Sequence, residues 1–181
     1  LAKALEVNPS LKSIDLSSNR LCGVWFEHGQ KKGTYDPTGI QAIAEALNVN
    51  ASMKKLNVLR NSIDAEGAQA LVDAAPQQLQ TLCGFEEGQT EADFSGQGLG
   101  PGGAILLAWE LTTGYVSASL TSIDLSRNDL RKDGAVAVAK SLEVNASLTN
   151  LSLRANQIGN EGAVAVAKSL EVNASITKLK I

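Results

Sequence analysis

The sequence predicts an α/β fold in which short strands and helices alternate along a stacked repeat array. Two near-identical segments carry that prediction. GAVAVAKSLEVNASLT occupies Gly134–Thr149 and GAVAVAKSLEVNASIT occupies Gly162–Thr177, differing only at Leu148 and Ile176 and offset by 28 residues. A fixed period of this size marks a supersecondary unit that buries its apolar side against the next copy. The further observation is an eleven-residue stretch with apolar/polar alternation: LKSIDLSSNRL at Leu11–Leu21, MKKLNVLRNSI at Met53–Ile63, LTSIDLSRNDL at Leu120–Leu130 and LTNLSLRANQI at Leu148–Ile158. Such an array presents a surface more readily than a closed catalytic pocket.

Each element follows from the pattern. Leu1–Asn8 (LAKALEVN) matches Val166–Asn173 (VAKSLEVN), so the chain opens inside a repeat helix. Alternation through Ile123-Asp124-Leu125 predicts a short half-buried strand, with Leu and Ile inward and Asp124, Ser152 and Asn57 outward. A Gly stands four residues past the last apolar position, at Gly67, Gly134 and Gly162. An apolar run of helical period follows, as in Ala163, Val166, Ala167 and Leu170, and its small residues let the helix lie close to the strands. Asn50, Asn145 and Asn173 close these helices, where Asn suits the left-handed conformation of many helix ends. A last strand unit begins at Ile176 and ends with the chain at Ile181.

The register L-x-x-L-x-L-x-x-N-x-L/I followed by G-A-x-A-x-A-x-x-L resembles the leucine-rich repeats of the ribonuclease-inhibitor type. That family includes the Ran GTPase-activating protein and the sensor region of NOD-like receptors, and the resemblance covers almost the whole chain. It implies a right-handed βα horseshoe solenoid, with parallel strands on the concave face and helices on the convex face. It also implies that the Asn at the ninth position points inward and bonds the turn backbone. Asn19, Asn61, Asn128 and Asn156 hold that position, where buried backbone groups need partners. The chain reads as a single domain, 1–181, of about six repeats. Both ends cut through a repeat, and solenoids need polar caps. A fragment of a longer chain, or a covering partner, is therefore expected.

Two irregular segments interrupt the array, at 22–36 and 85–91. Leu11 to Met53 spans 42 residues, well over one period, which places an insertion within Cys22–Asp36. Leu79 to Leu120 spans 41 residues. There LQTLCGF begins like a strand unit without reaching its Asn, and EADFSGQGL starts another with Gln97 in the Asn position. An extra strand or a hairpin is expected between two blocks of repeats. All the aromatic residues lie in or around these segments: Trp25, Phe26 and Tyr35 in the first, Phe85, Phe94, Trp109 and Tyr115 at the second. His28, Cys22 and Cys83 fall there too. Two readings stand side by side. Trp25, Phe26, His28, Tyr35 and Phe85 form a partner-binding knob, since aromatics concentrate at interface centres; or they pack the insertions onto the solenoid as a satellite core.

The net charge is −3, from 16 basic and 19 acidic residues, with no basic run of the kind nucleic acid requires. No apolar stretch is long enough to span a bilayer. Two cysteines make no disulfide framework and read as reduced thiols, which points to an intracellular chain, cytoplasmic by default, with an organelle open because the N-terminus is missing. The sequons at Asn50, Asn145 and Asn173 coincide with helix ends, so structure accounts for them, and the one at Asn150 falls in a strand.

Gly98-Leu99-Gly100-Pro101-Gly102-Gly103 matches G-x-G-x-x-G, a dinucleotide fingerprint. The repeat explains it more simply, because Gly103 falls where Gly134 and Gly162 fall. His28 and Cys22 lack the orienting group and oxyanion site of a nucleophile pair, and one His with two distant Cys lacks zinc spacing. No catalytic, cofactor or metal residue is assigned. The outward positions Asp15, Asn57, Arg60, Asp124, Arg127, Asn150 and Arg154, with Ser13, Ser17, Lys55, Ser122 and Ser152, give a mixed polar face. It serves either to bind a partner protein or to keep the sheet solvated. The expectation is a non-enzymatic protein-interaction scaffold, a subunit or fragment of a larger assembly. A regulator of a GTPase or hydrolase is the alternative, and nucleotide binding at Gly98–Gly103 a remote one.

Overall fold

The computed structural model describes residues 1–27, 30–113 and 116–181, without the side chains of Phe26 and Lys31. Its elements run α1 (Ala2–Val7), β1 (Ser13–Asp15), β2 (Val24–Glu27), β3 (Gln30–Gly33), α2 (Thr38–Val49), β4 (Lys55–Asn57), α3 (Ala65–Asp73), β5 (Glu91–Asp93), α4 (Gly100–Thr113), β6 (Ser122–Asp124), α5 (Arg131–Leu142), β7 (Asn150–Ser152), α6 (Gly159–Val172) and β8 (Lys178–Lys180). Strands β5–β6–β7–β8 form one parallel sheet and β1–β4 a second, while β2 and β3 make an antiparallel hairpin. The helices pack in chain order from α1 to α6. The chain is an α/β repeat solenoid with a continuous helix layer and an interrupted strand layer.

The core lies between the layers. The middle residue of each interior strand is buried, as at Leu56, Ile123 and Leu151, and so are Val58, Leu125 and Leu153 two residues on. Each such side chain contributes about 1.5–3 kcal/mol. Facing helices supply Leu107, Leu111, Val138 and Leu142. Helix spacing is set by small residues: a Cβ on Gly134 or Gly162 would stand 2.9 Å from the Cβ of Ala104 or Ala135.

Two sets of asparagines join one repeat to the next. Asn156 is 1% exposed. Its Oδ1 accepts from the amides of Asn128 (2.8 Å) and Leu130 (3.4 Å), and its Nδ2 donates to the carbonyls of Leu125 (2.8 Å) and Leu153 (2.9 Å). Asn128 and Asn61 do the same one repeat earlier in their blocks, reaching Phe94 and Leu99, and Leu16, Asn19 and Leu21. Asn19 is exposed and donates to its own turn at Ser17.

The second set lies at the helix ends. Asn50 and Asn173 are extended, with φ −80° and −82° and ψ 116° and 118°. The expected left-handed conformation is therefore corrected. The Asn173 side chain donates to the carbonyls of Leu142 (2.7 Å) and Asn145 (2.8 Å) and accepts from Ser175 and Ile176, and Asn145 repeats this toward Leu111 and Ser117. These side chains need an extended backbone to reach the preceding repeat, and their amides are already engaged.

At the break between blocks a helix side chain takes the place of a strand. Residues 79–83 run beside β4 as an irregular extra strand rather than a hairpin. The carbonyls of Thr81 and Leu82 accept from Leu56 (2.9 Å) and Val58 (3.1 Å). On β4 the amide of the middle residue, Leu56, reaches the next strand, but the matching Leu82 amide donates instead to Oε1 of Glu110 on α4 at 2.6 Å, joined by the Cys83 amide at 2.9 Å and the Thr81 hydroxyl at 2.6 Å. Glu110 is fully buried, and its Oε2 has no hydrogen-bond partner among the described residues. Burial pushes its carboxyl up to about 7, against the lowering effect of the hydrogen bonds from Thr81, Leu82 and Cys83.

Two expectations follow. Replacing Asn128 by Asp removes its donors and buries a charge, so urea unfolding should show a loss of about 2–4 kcal/mol. Asn19→Asp, at an exposed side chain, should stay within about 0.5 kcal/mol; equal effects at both sites would contradict the ladder. For Glu110 the folded state holds its proton to higher pH than the unfolded chain, where the carboxyl has its ordinary value near 4.5. Its contribution is therefore full below that value and lost as pH rises through about 7. The Glu110→Gln protein should lack this fall in urea midpoint, which a pH series on both proteins measures.

Candidate functional site

The pairing register sets the outward strand residues in two rows. One holds Ser13, Lys55, Glu91, Ser122, Asn150 and Lys178; the other holds Asp15, Asn57, Asp93, Asp124, Ser152 and Lys180. Asp15, Asn57, Asp124 and Asn150 thus lie where the alternation predicts. Glu91, Asp93, Lys178 and Lys180 join them; the same offset from the apolar positions would have found these four. Within the larger sheet, acidic groups stand on β5 and β6 and basic groups on β8.

Local turns hold the acidic side chains in place. Asp15, Asp93 and Asp124 each accept from the amide two residues on, at Ser17, Ser95 and Ser126, all at 2.8 Å, and Asn57 accepts from Leu59 at 3.2 Å. This is the Asx-turn, which mimics a backbone turn. Hydrogen bonds from Ser17 keep the Asp15 carboxyl below its ordinary value. At Asp124 partial burial pushes upward, but bonds from Ser126 and Ser152 and the charge of Lys180 outweigh it, so the net shift is down. Lys55 pairs with Glu86. Arg60 and Arg127 are exposed at matching left-handed turn positions, with φ +59° and +58°, and Arg154 is exposed on the next turn.

Among the described residues the aromatic side chains do not share one exposed surface, because Phe85 is buried. Trp25 on β2 is half-buried, with the Arg20 guanidinium carbon 4.7 Å from its ring centroid. The Phe26 backbone pairs with Lys31 across the hairpin. The Phe26 side chain and all of His28 lie outside the described residues, as does Tyr115. Tyr35 is half-buried against the core, its hydroxyl shielded from solvent. Phe85 is corrected from contact residue to core residue. It is 2% exposed and meets Phe94 edge-on, with ring centroids 5.6 Å apart, because the extra strand folds it beneath the break. Cys22 and Cys83 are free and buried. Burial pushes the Cys22 thiol up to about 11, the opposite of what a nucleophile needs.

The glycine-rich segment meets the demands of the repeat turn. Gly96, Gly98 and Gly100 have φ near +65°, and so do the turn residues Arg127, Asp129 and Arg131, with φ between +54° and +58°. The amides that would cradle a phosphate are occupied: Gly100 donates to the carbonyl of Asn128 (2.9 Å), Leu99 to the Asn128 side chain (3.3 Å) and Gly103 to the carbonyl of Leu99 (3.1 Å). Among the described residues no cluster of His, Cys, Asp and Glu side chains could hold a metal ion, and no helix is long and apolar enough to cross a membrane.

The family described as Leucine Rich repeat matches residues 7–21, 49–72, 116–139 and 144–167. Among solved structures, the tropomodulin C-terminal domain of Caenorhabditis elegans is similar over 95% of this chain and 90% of its own, at 18% identity and a TM-score of 0.42. The actin-binding site 2 structure of leiomodin-1 is similar over 99% of this chain and 75% of its own, at 15% identity and 0.40. The leucine-rich repeat-containing protein LegL7 of Legionella pneumophila is similar over 98% of this chain and 59% of its own, at 20% identity and 0.39. No curated protein matches the sequence. Each family match begins beside or within a helix-end turn and runs through the strand that follows, so the recurring unit of the structure is the unit that the family describes, and this chain carries leucine-rich repeats at those residues.

Proposed function

We propose that this chain is a protein-interaction scaffold of the ribonuclease-inhibitor repeat type that works as a subunit of a larger assembly. The observation that carries the reading is the strand face. Its outward side chains stand in fixed register, with Glu91, Asp93 and Asp124 on one part of the sheet and Lys178 and Lys180 on its last strand. Charge segregation of this kind orients a partner and speeds its encounter more than it adds affinity. Solenoids present such extended surfaces as rigid units. Protein is the partner class that this supports, and the mixed charge does not suit nucleic acid. Two free, buried thiols support an intracellular setting. A regulatory role toward a GTPase or hydrolase would use the same face and the exposed Arg60 and Arg127, and differs in what is recovered with the chain.

Isolation from the native source under mild conditions, followed by mass spectrometry, should recover a stoichiometric partner set. Glu91→Lys combined with Lys178→Glu keeps the net charge and alters only exposed side chains. This variant should release the partner with Tm unchanged within about 2 °C. A monomeric chain in the native extract, or full retention by the variant, would overturn the reading. Trp25→Ala should weaken the same association at near-constant Tm; a fall in Tm with the partner retained would assign Trp25 to packing alone.

A further inference from the structure

The broken ladder leaves a groove. Gln97 stands in the asparagine position of its repeat, but its amide donates to the carbonyl of Asp93 in the same repeat, at 3.1 Å. Among the described residues no hydrogen bond joins the 58–64 turn to the 94–100 turn. Helices α3 and α4 still pack together, and α4 presses on the end of the 58–64 turn, where a Cβ on Gly102 would collide with the carbonyls of Ile63 and Asp64. The turns part beside that contact and leave a cavity of about 740 Å³, bounded on one side by Val24 of the hairpin. Its apolar lining is Val24, Tyr35, Ile63, Leu99 and Pro101, of which Tyr35 and Pro101 are half-buried and the other three lie buried beneath them. This volume is in the range of sites that enclose a ligand.

The polar lining is lopsided. Among the described residues, Asp64, Glu66, Asp129 and Asp133 face a single cation, Arg131, which is already paired with Asp129 at 2.8 Å. Four carboxylates against one guanidinium give −3, as large as the formal charge of the whole chain. None of Asp64, Glu66 and Asp133 has an ion-pair partner among the described residues. Helices α3, α4 and α5 begin here, and each N-terminus carries roughly half a positive charge. Together they offset about half of the −3, so the groove keeps a negative potential.

We propose that this groove docks a basic segment of a partner protein: an extended peptide with one apolar side chain seated on the half-buried Tyr35 and Pro101, and Lys or Arg on either side of it. The inference rests on the protein-binding reading but uses a surface separate from the strand face. The carboxylates are spaced around an apolar floor, so charge selects the segment and the apolar anchor holds it.

The full chain is screened by fluorescence anisotropy against a positional-scanning library of fluorescein-labelled octapeptides. Selected sequences should place Lys or Arg around one apolar residue, and their binding should weaken as salt rises. Glu66→Gln with Asp133→Asn removes two exposed charges and should weaken binding by about tenfold, at unchanged Tm and with the strand-face partner retained. The proposal is overturned if acidic or neutral peptides are selected, if none bind, or if the neutralised variant binds as before. In those cases, release of the native partner by the Glu91→Lys/Lys178→Glu protein would leave the scaffold reading standing. Absence of any native partner would remove that reading as well.

Discussion

Asparagine side chains, more than strand pairing, hold this array in register. Each named strand of the repeat sheets is only three residues long. Each turn that follows bends through left-handed residues, as at Arg127, Asp129 and Arg131. Such non-glycine positions cost on the order of 1 kcal/mol each. The turn persists because a buried Asn amide bonds its own turn and the preceding one together. Asn156 alone meets two amides and two carbonyls at 3.4 Å or less. With net values near 1 kcal/mol per bond, one such residue offsets the strain of its turn. The Asn-Ala-Ser segments repeat the device at the opposite ends of the helices. Each repeat is thus fastened to its neighbour at both ends, while leucines fill the space between.

Where this fastening fails, the molecule acquires its individual features. The extra strand at 79–83 has amides that no following strand accepts, so a buried carboxylate must. Glu110 supplies it from α4, with desolvation as the cost and a carboxyl that holds its proton to higher pH as the result. The helix layer passes the break intact because Gly102 lets α4 press against the turn before α3. Sheet and turns separate there and the helices do not. The acidic groove is thus a consequence of how the two blocks are joined.

Much of this was legible in the sequence. The 28-residue offset marked the strands and helices, and the ninth-position asparagines marked the buried ladder. Periodicity reports what repeats, and the failures lie where nothing does. Phe85 stood out as an aromatic beyond the regular pattern, but its burial depends on how the irregular strand folds beneath the break. Asn50, Asn145 and Asn173 were visible as helix ends; their conformation was not, since Asn serves both a left-handed cap and a bridging side chain. Glu110 looked like any helix carboxylate. Its one signal was to be the sole charge in the apolar run AILLAWEL, 28 residues after the Leu82 amide it binds.

Gln97 is better understood as an adaptation to the break than as its cause. An asparagine in a ladder position works because the preceding turn lies one strand spacing away, about 4.8 Å. In chain order the strand before that of Gln97 is the 79–83 segment, which pairs with β4 and leads into Phe85 and the 86–89 turn instead of a repeat turn. A shorter amide there would find no carbonyls of a 58–64 type turn within reach. The longer side chain bonds backward to Asp93 and closes its own turn. The position of the groove is therefore set by the backbone path of the inserted strand, and the side chains lining it are free to define what it accepts.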